Sequence, residues 1–185
     1  MKTTGSAKPL ASRSRGFTLV EMMAVVAITG IVATAAVPSL NGIVDTQRVN
    51  GAATQLAGDL QFARSEAVQR NQAVRITFQG GATGATCYVL HTGSADQCQC
   101  SASGPARCEG GAQAIKTVAL DTERGINLQA NVASVLFDPL HGTASPAATL
   151  RIHGTQGRTV HHMVNIMGRV RSCSPLSTVS GYRAC

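Results

Sequence analysis

Hydrophobic and polar positions follow three regimes along the chain. Over residues 22–44 the side chains are apolar, small or uncharged, with no Asp, Glu, Lys, Arg or His. At about 1.5 Å rise per residue this run makes a helix of roughly 34 Å, enough to cross a bilayer core of about 30 Å, so one membrane-spanning segment is expected over 17–44. Then Val49, Ala52, Ala53, Leu56, Leu60, Ala63 and Ala67 recur three or four residues apart with polar residues between them. This spacing predicts that the helix continues to about residue 70 with one buried face. From residue 73 the period is two, because Val74, Ile76 and Phe78 alternate with Arg75, Thr77 and Gln79, as in a strand with one face in the core. Further strands are expected at 87–91, 114–120, 126–130, 132–137, 148–153 and 159–166. Gly, Pro, Asp and Asn punctuate them. The aperiodic segment 92–111, rich in Gly, Ser, Ala and Cys, is expected as a surface loop stapled by its cysteines. A long N-terminal helix packed on a C-terminal antiparallel β-sheet is an α+β plan.

Composition adjusts this picture in two places. Trp is absent and aromatic residues make up 3% of the chain, so Ala and aliphatic side chains must build a thin core that crosslinks would support. Net charge is +7, with 16 Lys and Arg, but Lys2, Lys8, Arg13 and Arg15 all precede Gly16 and no acid accompanies them. Such a basic leader ahead of an apolar helix keeps the N-terminus cytoplasmic and sends the rest across the membrane. In a secretory signal peptide the apolar region would come before the cleavage site, whereas here it follows Gly16.

Glu21 is the odd residue, since a carboxylate beside an apolar run asks for a partner. A basic leader, then Gly16, then Phe17-Thr18-Leu19-Val20-Glu21, then an apolar helix with Pro38 resembles the N-terminal motif of type IV pilins and type II secretion pseudopilins. The resemblance implies that prepilin peptidase cuts after Gly16, that Phe17 becomes N-methylated, and that Glu21 serves assembly with other pilin or pseudopilin subunits. It divides the chain into a leader at 1–16, an assembly half-helix at 17–44 and an extracytoplasmic domain at 45–185, with the helix end at 45–70 and the β domain at 73–185. The product would be a single-pass protein of the bacterial inner membrane, its C-terminal domain in the periplasm, taken into a pilus or pseudopilus. Later motifs, Phe137-Asp138-Pro139 with Gly142-Thr143 and then Ile166-Met167-Gly168-Arg169-Val170-Arg171, look like the globular domain of the GspH/FimT branch of minor pilins.

All six cysteines lie in the part expected outside the cytoplasm, where an even count reads as disulfides. Cys173 and Cys185 are expected to pair, which leaves Cys87, Cys98, Cys100 and Cys108 to pair among themselves, with Cys98 and Cys100 taking different partners. A metal site built from Cys98, Cys100, His161 and His162 is the competing reading, but Cys-x-Cys lacks the spacing of common zinc knuckles. No metal and no cofactor is expected. Nor is an enzyme, since the chain has no Gly-x-Ser-x-Gly, His-Glu-x-x-His or phosphate-loop pattern.

After Asp138 there is no acidic residue, yet Arg151, Arg158, Arg169, Arg171 and Arg183 follow. A solvated arginine face would account for this, and so would an anionic partner. In Gly168-Arg169-Val170-Arg171 the two arginines are two apart, so on an extended segment both would face one side and could grip successive phosphates, with Gly168 admitting close backbone approach. In FimT-type minor pilins this Gly-Arg-x-Arg pattern is associated with DNA binding in natural transformation. The resemblance thus implies DNA binding through Gly168, Arg169 and Arg171, and Arg183 and Arg158 of the same acid-free stretch are expected to assist. The alternative is a GspH-type pseudopilin of the type II secretion system. On either reading the mature chain should begin at N-methylated Phe17, and mass spectrometry of membrane-extracted protein showing an intact segment 1–16 would overturn it.

Overall fold

The computed structural model describes residues 16–81, 84–101 and 104–185, with the backbone alone at 35–40, 81 and 101. The leader expected at 1–16 therefore lies, apart from Gly16, outside the described residues, as does the Pro38 side chain. The chain divides into two units after Leu40.

Helix α1 (Leu19–Arg70) belongs to both. It opens on a cap that its sequence encodes. The Glu21 amide donates to Thr18 Oγ1 at 3.2 Å, so Thr18-Leu19-Val20-Glu21 has the Ser/Thr-x-x-Glu pattern of a capping box, with the carboxylate at the positive end of the helix dipole. Farther along, Thr29 Oγ1 donates to the Val25 carbonyl at 2.8 Å and Thr34 Oγ1 to that of Ile31 at 2.8 Å. The hydroxyls of Thr29 and Thr34 thus bond the helix's own backbone. Phe17, Leu19, Val20, Met23, Val26, Ile28 and Ile31 are exposed. Among the described residues no helix is long and apolar enough to cross a membrane. The side chains described without a break end at Thr34, short of the roughly 20 residues that a span requires.

In the second unit β1 (Val74–Gly81) and β2 (Gly84–Thr92) form an antiparallel hairpin, and β1 also pairs with β7 (Ser134–Phe137), which pairs with β8 (Ala144–Ser145). On the other edge of β2 lie β5 (Ala114–Ala119) and, through Ala85 and Leu128, β6 (Asn127–Ala130). From β6 the sheet continues through β9 (Ala148–His153), β10 (Thr159–Val164), β11 (Val170–Ser174) and β12 (Arg183–Ala184). Among the described residues every pairing is antiparallel except β11 with β12. Between β2 and β5, where a loop is expected at 92–111, β3 (Cys98–Ser101) and β4 (Gly104–Cys108) form a separate two-stranded ribbon. Disulfides Cys98–Cys108 across it and Cys87–Cys100 to β2 hold it there.

The core is the seam between the later part of α1 and the sheet. Val49, Ala53, Leu56, Leu60, Ala63 and Ala67 are buried in one cluster with Ile76, Leu90, Leu128, Leu150, Ile152 and Val160. Truncating Leu56 or Leu60 to Ala would cost about 2–5 kcal/mol. Polar contacts fix the helix along the seam. Buried Asp59 accepts from the Tyr88 hydroxyl at 2.8 Å and has Lys116 Nζ 2.5 Å away. Burial, and then the Asp59 carboxylate, hold the Tyr88 phenol far above its usual pKa, so it remains a donor. Nearer the start of the unit, Asp45 accepts from the amide of Thr155 at 3.1 Å and its hydroxyl at 2.9 Å. Asn50 Oδ1 accepts from Tyr182 at 3.1 Å.

One inward position of β10 is a histidine. His162 is fully buried, with Nδ1 2.8 Å from Ser172 Oγ, and burial lowers its pKa to about 4. A folded pKa below the ordinary 6.5 means that the native state favours the neutral ring. The stability so gained is present above pH 6.5 and is lost as pH falls from 6.5 towards 4. The shift corresponds to about 3 kcal/mol. In His162→Asn, denaturant titrations should show a shallower loss of stability over that window than in wild type.

Candidate nucleic-acid interface

The Gly-Arg-x-Arg segment is built by a tight turn between β10 and β11. The Gly168 amide donates to the Asn165 carbonyl at 2.9 Å, the Asn165 amide to that of Arg169 at 3.1 Å, and the Arg169 amide to Asn165 Oδ1 at 2.9 Å. Gly168 has a φ of 70°, in the region that favours glycine, and it is buried. A methyl group there would fall on the Gly142 carbonyl oxygen and lie 3.1 Å from Arg64 Nε. Close approach at Gly168 in this structure is to the Gly142 backbone.

The facing turn is built as firmly. Asp138 Oδ1 accepts from the amides of His141 at 2.9 Å and Leu140 at 3.0 Å, which, with the His141 side chain, hold its carboxyl below the usual range. The Gly142 amide returns to the Asp138 carbonyl at 3.0 Å, and the Gly142 carbonyl accepts from Arg64 Nε on α1 at 2.8 Å. Arg64 thus joins the helix to both turns. A hollow of about 920 Å³ lies there, lined by Arg64, Val68, Leu140, His141 and Arg169 among others.

Arg171 lines a different hollow, of about 570 Å³, together with Met163, Cys173, Arg183 and Cys185. Arg183 is brought there by two constraints, the Cys173–Cys185 disulfide, with 5.0 Å between Cα atoms, and the parallel pairing of Cys173 with Arg183. Arg169, Arg171 and Arg183 are exposed, Arg169 on the first hollow and Arg171 and Arg183 on the second. Arg158 is engaged elsewhere, its Nε donating to the Gly42 carbonyl at 3.2 Å and lying 3.9 Å from Asp45 Oδ2. Among the described residues no carboxylate pairs with Arg151, Arg169, Arg171 or Arg183.

Arg151, one of the five arginines of the acid-free stretch, and His161 belong with these residues, although the DNA-binding expectation did not include them. In β9, Leu150 and Ile152 are buried and Arg151 between them is exposed. In β10, Val160 and His162 are buried and His161 between them is half-buried on the opposite face. Strand alternation was the signal available for both. His161 Nδ1 lies 3.8 Å from Cys185 Sγ, and its ligand atoms cluster with those of Cys173 and Cys185, but both sulfurs are held in the disulfide.

Residues 52–168 match the family described as Type II transport protein GspH, and residues 11–37 match the Prokaryotic N-terminal methylation motif. The chain belongs to the GspH family. The fold of this GspH-family chain is also that of a solved minor pilin. A crystal structure of the type IV minor pilin FimU of Pseudomonas aeruginosa (strain PAO1), in space group P21, aligns with a TM-score of 0.54 at 18% identity over 71% of this chain and 96% of FimU. The P65 form gives 0.49 at 20% identity over 70% and 98%. No curated protein matches the sequence.

The two-turn joint leads to a stability prediction. Gly168→Ala combines an unfavourable φ with a clash against backbone, so it should destabilise the domain by about 2 kcal/mol or more, read as a lowered denaturation midpoint.

Proposed function

We propose that this protein is a FimT-type minor pilin of a type IV pilus that binds DNA through its C-terminal strands in natural transformation. The observation that carries the reading is the gathering of exposed arginines free of ion pairs, Arg171 and Arg183 in one hollow and Arg169 at the turn beside it, on a stretch with no acidic residue. Guanidinium groups suit phosphate oxygens because they donate in a planar fork and remain charged. Arg158, tied to Gly42 and Asp45, assists less. In this reading prepilin peptidase cuts after Gly16, Phe17 is N-methylated, and residues 17–44 anchor the chain in the inner membrane until assembly. Glu21 then pairs with the Phe17 amine of a neighbouring subunit, where an opposite charge offsets the cost of a carboxylate in lipid.

The family match accommodates a second reading, a GspH-type pseudopilin of type II secretion, in which the same face meets protein. Binding of labelled duplex DNA by the full chain in neutral detergent separates the two. Wild type should bind without strong sequence preference, and log affinity should fall by about 0.9 per log unit of salt for each phosphate neutralised. Arg171→Gln with Arg183→Gln should lower the affinity and flatten that slope by nearly 2, with the fold intact, and Arg169→Gln should do so more weakly. Absence of binding by wild type at low salt favours the secretion reading.

A further inference from the structure

The register of the C-terminal strands places charges in line that are far apart in sequence. Gln129 of β6 pairs with Arg151 of β9, Arg151 with His161 of β10, His161 with Cys173 of β11, and Cys173 with Arg183 of β12. Residues in cross-strand register share a face, so this row runs across the outer surface of the sheet, opposite the seam with α1. Arg171 is one pleat along β11 from Cys173, on the same face. By strand spacing the row from Arg151 to Arg183 covers roughly 14 Å, about four base-pair steps along a duplex axis.

We propose that the binding face extends across β9 and β10 to Arg151 and His161, and that protonation of His161 tightens its hold on duplex DNA as pH falls. This rests on the DNA-binding reading and adds both residues and a regulation to it. His161 is the histidine in position to do so. From β9 it faces Arg151 and, diagonally, His153. From β11 it faces Cys173 and, through the disulfide, Cys185, with Arg171 and Arg183 nearby on the same face. None of these strands carries an acidic side chain. Burial and the Arg151 guanidinium hold His161 below its ordinary pKa and keep it neutral near pH 7. A phosphate oxygen beside the ring reverses that balance, so binding takes up a proton and strengthens in acid. His153 is a poorer sensor. Its Nδ1 meets Thr159 Oγ1 at 3.1 Å and its Nε2 is buried without a partner, so protonation would bury an unsatisfied donor.

The test is fluorescence anisotropy of labelled duplex DNA with the full chain in neutral detergent, at pH 7.5 and 5.5 and fixed salt. Wild type should bind several-fold tighter at pH 5.5. His161→Gln should abolish most of that gain, so that its deficit against wild type is several-fold larger at pH 5.5 than at pH 7.5, and His141→Gln, on the other hollow, should preserve it. Arg151→Gln should weaken binding at both pH values and reduce the salt slope by about 0.9. Thermal melts of each variant show whether the fold is kept. If wild type binds DNA but neither Arg151→Gln nor His161→Gln differs from it, or if His141→Gln removes the pH dependence, this inference is overturned while the DNA-binding reading stands. If wild type does not bind at either pH, the DNA-binding reading itself falls.

Discussion

The later part of α1 can lie close on the sheet because its buried stripe alternates large and small residues. Leu56 and Leu60 fill the space between strands, while Ala53, Ala63 and Ala67 let the helix backbone approach. In a chain with no Trp and few aromatic residues, this seam is the main source of buried apolar area, and everything else is arranged to hold its alignment. The polar contacts sit along it at Asp45, Asn50, Asp59 and Arg64, each reaching a different strand or turn. Individually such contacts add about 1 kcal/mol or somewhat more when charged. Their larger effect is on specificity, because a helix rotated or slid by one residue would leave Asp45 and Asp59 buried without partners.

Arg64 shows how this alignment reaches the candidate site. Its guanidinium is committed to the Gly142 carbonyl, and the Gly142 carbonyl lies where a side chain on Gly168 would be. The Phe137-Asp138-Pro139 and Gly168-Arg169 motifs, distant in sequence, are thus two sides of one joint against the helix. Their glycines and Asp138 are explained by that joint without any ligand. The arginines are not, since Arg169 and Arg171 make no ion pair there.

What the sequence made legible follows the same physics. The α1 stripe, β1, β9 and β10 were readable because their inward positions, His162 of β10 apart, are apolar at a constant period. β11 was not, because the positions in register with the inward face after Val170 are Ser172, which is exposed, and Ser174. They are chosen to meet His162 Nδ1 and the Thr159 carbonyl rather than to be apolar, so no alternation shows. β12 is two residues long and is positioned by a disulfide and a parallel partner, neither of which leaves a local pattern. The β3–β4 ribbon was read as a loop for a related reason, since its strands are short, polar and crosslinked rather than packed. The pairing of Arg171 with Arg183 in one hollow depended on the Cys173–Cys185 closure, which spacing could suggest. The row from Arg151 through His161 could not be suggested that way, because it exists only once four strands have taken their register.

A sheet covered by a helix on one face separates the residues that specify the fold from those that meet a partner. Along β9 and β10 the residues Leu150, Ile152, Val160 and Val164 answer to the seam, and the residues between them answer to whatever lies outside. Two chains of this family can therefore share inward positions, and hence the fold, while their outward positions take opposite chemistry. This is why a match over residues 52–168, together with a fold shared with FimU at 18% identity, does not by itself choose between a DNA-binding pilin and a secretion pseudopilin. The choice rests on the outward set. Here that set carries Arg151, His161, Arg171 and Arg183 with no acid among them, a composition that lowers the free energy of a polyanion on this face and raises it for a second cationic surface.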